Sequence, residues 1–284
     1  MTDQEAFSTI LDIASSEPGI RAVLLEGSRA NPNIAPDRWQ DFDIVYVTES
    51  NDKYVDGSWI EEKFLPRFGE VAIRQIPDNG DTGLVYTWLI QFANGVRIDL
   101  TFNPVAMLMK PGIMESNTGV LLDKDGVFGF MPEPSDKDFL TRLPSEFDFL
   151  SCSNEFWWVS PYVTKALCRG QLLLALRWLE EVVREEYCRM LEWLVICELG
   201  KPVNLGKHGC DILGLAPFEY LEPLIESFCK LESGEIRKAL SGLNEAFPKL
   251  ASSVGEKLGY SYNASEGEKT LKFMREFHGE SGTD

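Results

Sequence analysis

Leu24-Leu25-Glu26-Gly27-Ser28-Arg29 and, with eleven residues between them, Asp41-Phe42-Asp43-Ile44-Val45-Tyr46 decide how this chain is read. An apolar strand runs into a Gly-Ser turn. A second strand then carries two carboxylates at i and i+2, which its period of two places on one face. Two acids side by side in an otherwise apolar strand repel each other unless a cation lies between them, so the pattern points to Mg²⁺ rather than to packing. A third acid stands in Arg97-Ile98-Asp99-Leu100. There Arg97, Asp99 and Thr101 share one face, and Ile98, Leu100 and Phe102 the other.

Reading outward, residues 5–15 carry Phe7, Ile10, Leu11 and Ala14 at helical spacing and stop at Glu17-Pro18-Gly19. Strands are expected over 21–26, 42–47, 70–76, 84–92 and 96–102. Asn94-Gly95 between the last two reads as a two-residue hairpin turn. From Met131-Pro132-Glu133-Pro134 the texture changes, and after Ser153 alternation gives way to helical stripes, placing a boundary within 132–153. Phe156, Val159, Val163 and Leu167 form one stripe, with Pro161 expected to limit or kink its first turns. Helices follow over 171–199, ended by Gly200 and Pro202, and over 217–231, 234–257 and 264–277, and the tail 279–284 reads as disordered. The fold class is α+β: a mixed-sheet domain over residues 1–135 and an α-helical domain over 136–284.

Hydrophobic residues make up 44% of the 284, enough for two cores of ordinary size. No apolar run suggests a membrane span, and the acidic start Met1-Thr2-Asp3-Gln4-Glu5 lacks the features of a secretory signal, so a cytoplasmic location is expected. A net charge of −18 argues against a nucleic-acid partner and is compatible with a cationic one, although acidity also serves solubility alone. The six cysteines form no C-x-x-C pair, and with only two histidines a zinc site would need scattered ligands. The same scarcity makes a carboxylate the expected general base. Nothing in the pattern speaks to oligomeric state.

Nucleotidyl transfer needs a cradle for a triphosphate and positive charge around an in-line displacement at phosphorus. Ions held by shared carboxylates supply that charge. Asp41 and Asp43 fit the ligand role. Asp99 is a third ligand or the base that takes the acceptor's proton. Gly27 lets the backbone approach a phosphate, Ser28 adds donors, and Arg29 stands beside them as a further ATP contact.

The stretch 25–34 with Gln40-Asp41-Phe42-Asp43-Ile44 resembles the aminoglycoside 6-adenylyltransferases that inactivate streptomycin. Asn154-Glu155-Phe156-Trp157-Trp158-Val159-Ser160, with Lys165 and Leu167-Cys168-Arg169, is similar to the start of that family's helical domain, and the similarity runs on to Gly206-Lys207. Pro161 and Ala30 depart from the family pattern. The resemblance implies a polymerase-β-like nucleotidyltransferase domain, ATP and Mg²⁺, and transfer of AMP to the 6-hydroxyl of streptomycin with release of pyrophosphate. It matches Ser28 to the triphosphate-binding serine, Asp41 and Asp43 to the metal ligands, and Asp99 to the third acid, with the base role favoured.

In the helical domain, Trp157, Lys165 and Arg169 are read as one helical face, the indole for stacking on a ring and the cations for phosphates. Glu186 is the candidate partner of a substrate guanidinium, and Arg189 and Lys207 are candidate ATP contacts. An ordinary intrahelical Glu186–Arg189 pair explains those two equally well. The competing functions are transfer to another hydroxyl acceptor, a non-catalytic nucleotide-binding regulator, and a toxin-neutralising partner; the three acids argue against the second and the long helical domain against the third.

Overall fold

The structure, a computed structural model, describes residues 1–75, 85–110 and 114–280. Ile76 at the end of one expected strand, Leu84 at the start of the next and residues 281–284 of the tail lie outside these. The chain divides into two compact units, Met1–Asp138 and Phe139–Asp284. The architecture is α+β, a mixed sheet in the first and helices in the second.

In the first unit α1 (Asp3–Ser16) begins with a capping box, in which Thr2 accepts from the Glu5 N–H and Glu5 reaches back to the Thr2 N–H. It leads into β1 (Ile20–Glu26), the one-turn α2 (Gly27–Ala30) and β2 (Phe42–Thr48). A π-helical turn at Ile60–Phe64 runs into α3 (Leu65–Phe68), followed by β3 (Val71–Gln75), β4 (Tyr86–Phe92), β5 (Arg97–Pro104), the short α4 (Val105–Leu108) and β6 (Gly119–Asp123). The strands form one sheet in the order β3-β4-β5-β2-β1-β6, with β2 and β5 parallel and the other pairs antiparallel.

The alternation of β2 sorts its side chains between two unequal layers. Phe42, Ile44 and Tyr46 enter the larger core with Ala6 and Ile10 of α1, Phe64 and Phe102. There the buried Tyr46 hydroxyl donates to Ile10 O at 2.8 Å, as a buried phenol requires. Val45 and Val47 enter a small second core with Ala22, Leu24, Leu108 and Phe128. Asp43 belongs to that thinly covered face, beyond the end of its apolar patch. This is how a carboxylate in an apolar strand keeps access to water.

The β4–β5 connection corrects the two-residue expectation. Gln91 pairs with Arg97 and Ile90 with Ile98, so Phe92 faces Val96 across a three-residue loop. Gly95 N donates to Phe92 O at 3.1 Å, and Gly95 takes φ +92, the left-handed residue that such a loop needs.

In the second unit α5 (Glu146–Cys168) starts under a Ser145–Asp148 capping box, earlier than the Ser153 at which the sequence turns helical, and runs through Pro161. Then come α6 (Leu172–Trp178), a π-helical stretch Leu179–Val183, α7 (Arg184–Leu199), α8 (Ile212–Leu215), α9 (Phe218–Glu226), α10 (Ser233–Leu258) and α11 (Ala264–Glu280). α9 stops short of the expected 231. At its C-cap the buried Arg184 donates through Nε to the Ser227 hydroxyl at 2.8 Å and through Nη2 to the Ser227 carbonyl at 2.5 Å, so that carbonyl is held by a tertiary donor instead of a further helical turn. α11 reaches Glu280 and so takes in Gly279, expected in the tail. Phe156 and Phe247 stack at 3.7 Å within this core, and the expected stripe of α5 is buried throughout. No helix among the described residues is long and apolar enough to cross a membrane.

Candidate active site

The sheet register assembles the acids. Parallel pairing of β2 with β5 sets Asp43 beside Asp99, and antiparallel pairing of β1 with β2 sets Glu26 beside Asp43. Asp41 lies just ahead of β2. Arg97, two residues before Asp99 on the same face, joins them: its Nε is 3.2 Å from Asp41 Oδ2 and 3.2 Å from Asp99 Oδ1. Burial, reinforced by Asp99 and Asp41, pushes the Asp43 carboxyl up to about 6. Burial also raises Asp41, with Arg97 opposing the rise. Glu26 is pushed up to about 7 by burial and by the charges of Glu115 and Asp43. The strands have thus gathered more negative charge than their surroundings neutralise.

Gly27 follows β1 with φ +69, and an added Cβ would overlap the Asp43 carboxylate. The turn therefore needs glycine both for its backbone and for the room that Asp43 fills. Ser28 is half-buried beside it, and its carbonyl accepts from Gln40 Nε2 at 3.2 Å. Arg29, expected as an ATP contact, points its guanidinium elsewhere. It donates to Gln40 O at 2.8 Å and Asp41 O at 3.0 Å, pairs with Asp3 at 2.6 Å and lies over the Phe42 ring at 3.9 Å. Only 7% of its side chain is exposed, so it is a strut that fixes the approach to Asp41.

The second unit's candidates fare unevenly. Trp157 is 3% exposed, and its Nε1 donates to the Tyr262 hydroxyl at 3.0 Å. It is a core residue, which corrects the reading of its indole as a stacking surface. The physical reason is the helix period: at 100° per residue, positions i+8 and i+12 lie about 80° and about 120° around from i. Lys165 is accordingly half-buried, its ammonium 5.4 Å from the Tyr162 ring centre and 5.6 Å from that of Phe273, and Arg169 is exposed at the C-cap of α5. Glu186 is 7% exposed, and both its oxygens accept from Arg189 Nη1 at 3.0 Å. The intrahelical pair is therefore the observed arrangement. Lys207 is exposed after Gly206.

A family profile described as streptomycin adenylyltransferase matches residues 1–277. The chain belongs to the streptomycin adenylyltransferase family. It is 31% identical over 265 residues to an aminoglycoside 6-adenylyltransferase of Campylobacter jejuni, covering 92% of this chain and 91% of that protein. It is 32% identical over 269 residues to one of Bacillus subtilis (strain 168), covering 92% and 93%. A crystal structure of an aminoglycoside 6-adenyltransferase from Bacillus subtilis aligns over 98% of this chain and 99% of that chain, at 26% identity with a TM-score of 0.48.

For this adenylyltransferase the donor set can be tested against Mg²⁺. Carboxylate oxygens alone, on adjoining strands and raising one another's proton affinity, suit a hard cation. Among the described residues no group of three Asp, Glu, His or Cys side chains is already closed around a metal position. Arg97 instead supplies the positive charge at Asp41 and Asp99. The acids fit the ion once that guanidinium gives way. The sequence reading passed over Glu26, taken only as the end of a strand, and Arg97, taken only as a face residue. An acid closing the apolar run Val23-Leu24-Leu25 is the signal that would have found the first.

Proposed function

We propose that the protein transfers AMP from ATP, with Mg²⁺, to the 6-hydroxyl of streptomycin and releases pyrophosphate. Relatives bearing the name aminoglycoside 6-adenylyltransferase support an aminoglycoside acceptor. The observation that carries the chemistry is the register that sets Asp43 beside Asp99, with Gly27 pressed beneath Asp43.

Asp41 and Asp43 would hold Mg²⁺, which when bound neutralises triphosphate charge at the reacting centre. The Gly27-Ser28 turn receives the triphosphate. Asp99 takes the proton of the acceptor hydroxyl, and the freed oxygen attacks the α-phosphorus in line. The bond from that phosphorus to the bridging oxygen breaks, and pyrophosphate departs with the electron pair. Residues 1–135 carry this chemistry, and residues 136–284 contribute nucleotide and acceptor contacts, Lys165, Arg169 and Lys207 among them. A net charge of −18 suits a cationic acceptor, and the site of action is the cytoplasm.

Purified protein with MgATP and a panel of aminoglycosides is expected to release pyrophosphate with streptomycin and little with kanamycin-type compounds. Release with an unrelated acceptor would overturn the streptomycin assignment. No release with any acceptor would overturn the enzymatic reading.

A further inference from the structure

We propose that the cleft between α5, α10 and α11 of the second unit binds a small amphipathic carboxylate, with its charge at the mouth, an apolar body and a neutral polar group at the inner end. None of the residues given a part in the reaction lines this cleft.

Leu167 of α5, Leu240 of α10, and Leu271 and Met274 of α11 wall a cavity of about 230 Å³. At about 30 Å³ for each water of the liquid, that is room for roughly eight waters, or for one substituted benzene ring with a short side chain. Thr164, 1% exposed, lines the cavity, and its hydroxyl has no hydrogen-bond partner. A threonine within a helix can return its hydroxyl to the carbonyl four residues back, and buried polar atoms in folded proteins are nearly always partnered. The orphan therefore points to a polar group supplied from the cavity. Asn244, 2% exposed, lines it too, and its Oδ1 accepts from Ser160 Oγ at 3.0 Å, so the amide nitrogen is the atom it can offer a ligand.

The mouth carries the charge. Arg237, half-buried, and Arg275 and Glu245, both exposed, complete the lining. Glu245 Oε1 accepts from the Ser241 hydroxyl at 2.9 Å, one turn back on α10. Two guanidinium groups against one carboxylate leave one positive charge in excess, in a chain whose net charge is −18.

A carboxylate matches this arrangement. A guanidinium is a planar fork of N–H donors that takes a carboxylate in two parallel bonds. One negative charge balances the excess, whereas a phosphate monoester, with nearly two, overshoots it. The leucines and the methionine take a hydrocarbon body, and the buried Thr164 hydroxyl takes a polar group at its far end.

The probe is para-hydroxyphenylpropanoate, with phenylpropanoate and tyramine as its hydroxyl-free and cationic counterparts, in calorimetry on the full chain. Wild-type protein is expected to bind the probe, to bind phenylpropanoate about fivefold more weakly, and not to bind tyramine. Arg275→Gln, at an exposed position, is expected to bind both carboxylates about tenfold more weakly. Thr164→Val should bind both with the affinity that wild type has for phenylpropanoate. The Met274 methyl resonance of methionine-labelled protein should move as the probe is added, which places the ligand against α11. No binding of either carboxylate by wild type, unchanged affinity in folded Arg275→Gln, equal binding of tyramine, or an unmoved Met274 methyl would overturn the site. A preference for the hydroxylated probe that survives in folded Thr164→Val would overturn the polar inner end.

Discussion

Gly27 and Asp43 approach so closely that a side chain on the first excludes the carboxylate of the second. Gly27→Ala therefore combines a left-handed backbone penalty of about 1–2 kcal/mol with displacement of Asp43. Turnover is expected to fall by about a hundredfold, the usual cost of misplacing a reacting group by an ångström. Chemical denaturation and steady-state assays of one preparation check both effects. A variant of wild-type activity would separate the turn from the chemistry.

Arg97 is the counter-charge for Asp41 and Asp99. Arg97→Gln should lower the melting temperature in the presence of a chelator, because the carboxylates then face one another unscreened. Millimolar Mg²⁺ should raise the melting temperature of this variant more than that of wild type. An equal Mg²⁺ response in the two proteins would contradict a shared position for guanidinium and metal.

Trp157 is a packing residue. Gly267 of α11 lies so close to the indole that a Cβ there would meet it at 2.7 Å. Trp157→Ala is expected to cost about 3–5 kcal/mol of stability. Trp157→Phe should cost about 1 kcal/mol through the lost bond to Tyr262 and leave the KM for both substrates unchanged. A Trp157→Phe variant of unchanged stability and raised streptomycin KM would restore the stacking role.

Glu17 ties α1 to the loop after β2. Its carboxylate accepts from Lys53 Nζ at 2.8 Å and Trp59 Nε1 at 2.8 Å. Burial works to raise its pKa, but these bonds together with that from Gly19 N outweigh it and hold the carboxyl below its ordinary value. A depressed folded pKa means stability that is present above the unfolded value and lost as pH falls through the folded one. Glu17→Gln should thus be less stable than wild type by about 1–3 kcal/mol near neutrality. The gap should close as pH falls below 4.5. Melting curves across that range check the sign, and a gap that widens in acid would contradict it.

The sheet was legible in the sequence because alternation reports directly on which face is buried. Asp43 and Asp99 could be put on one side from Phe42-Asp43-Ile44 and Ile98-Asp99-Leu100 alone. The hairpin was legible in kind but not in register, since Asn94-Gly95 serves a three-residue loop as readily as a two-residue one. Helical faces were harder to read. Trp157 and Arg169 are far enough around the helix that one enters the core while the other ends in solvent. The approach of Thr118 to Glu26 was hidden because the two are distant in sequence and are brought together only by the β1–β6 pairing. Arg29 read as a phosphate ligand because an arginine beside Gly-Ser carries no mark of the carbonyls it will bind.

The proposed reaction places AMP on one hydroxyl of streptomycin. Mass spectrometry and phosphorus–proton NMR of the product formed from MgATP and streptomycin test it most directly, with Asp43→Asn as the control. An adenylyl group is expected on the 6-hydroxyl of the streptidine ring with wild type and none with folded Asp43→Asn. An adenylyl group on another hydroxyl, or product of normal yield from Asp43→Asn, would contradict it.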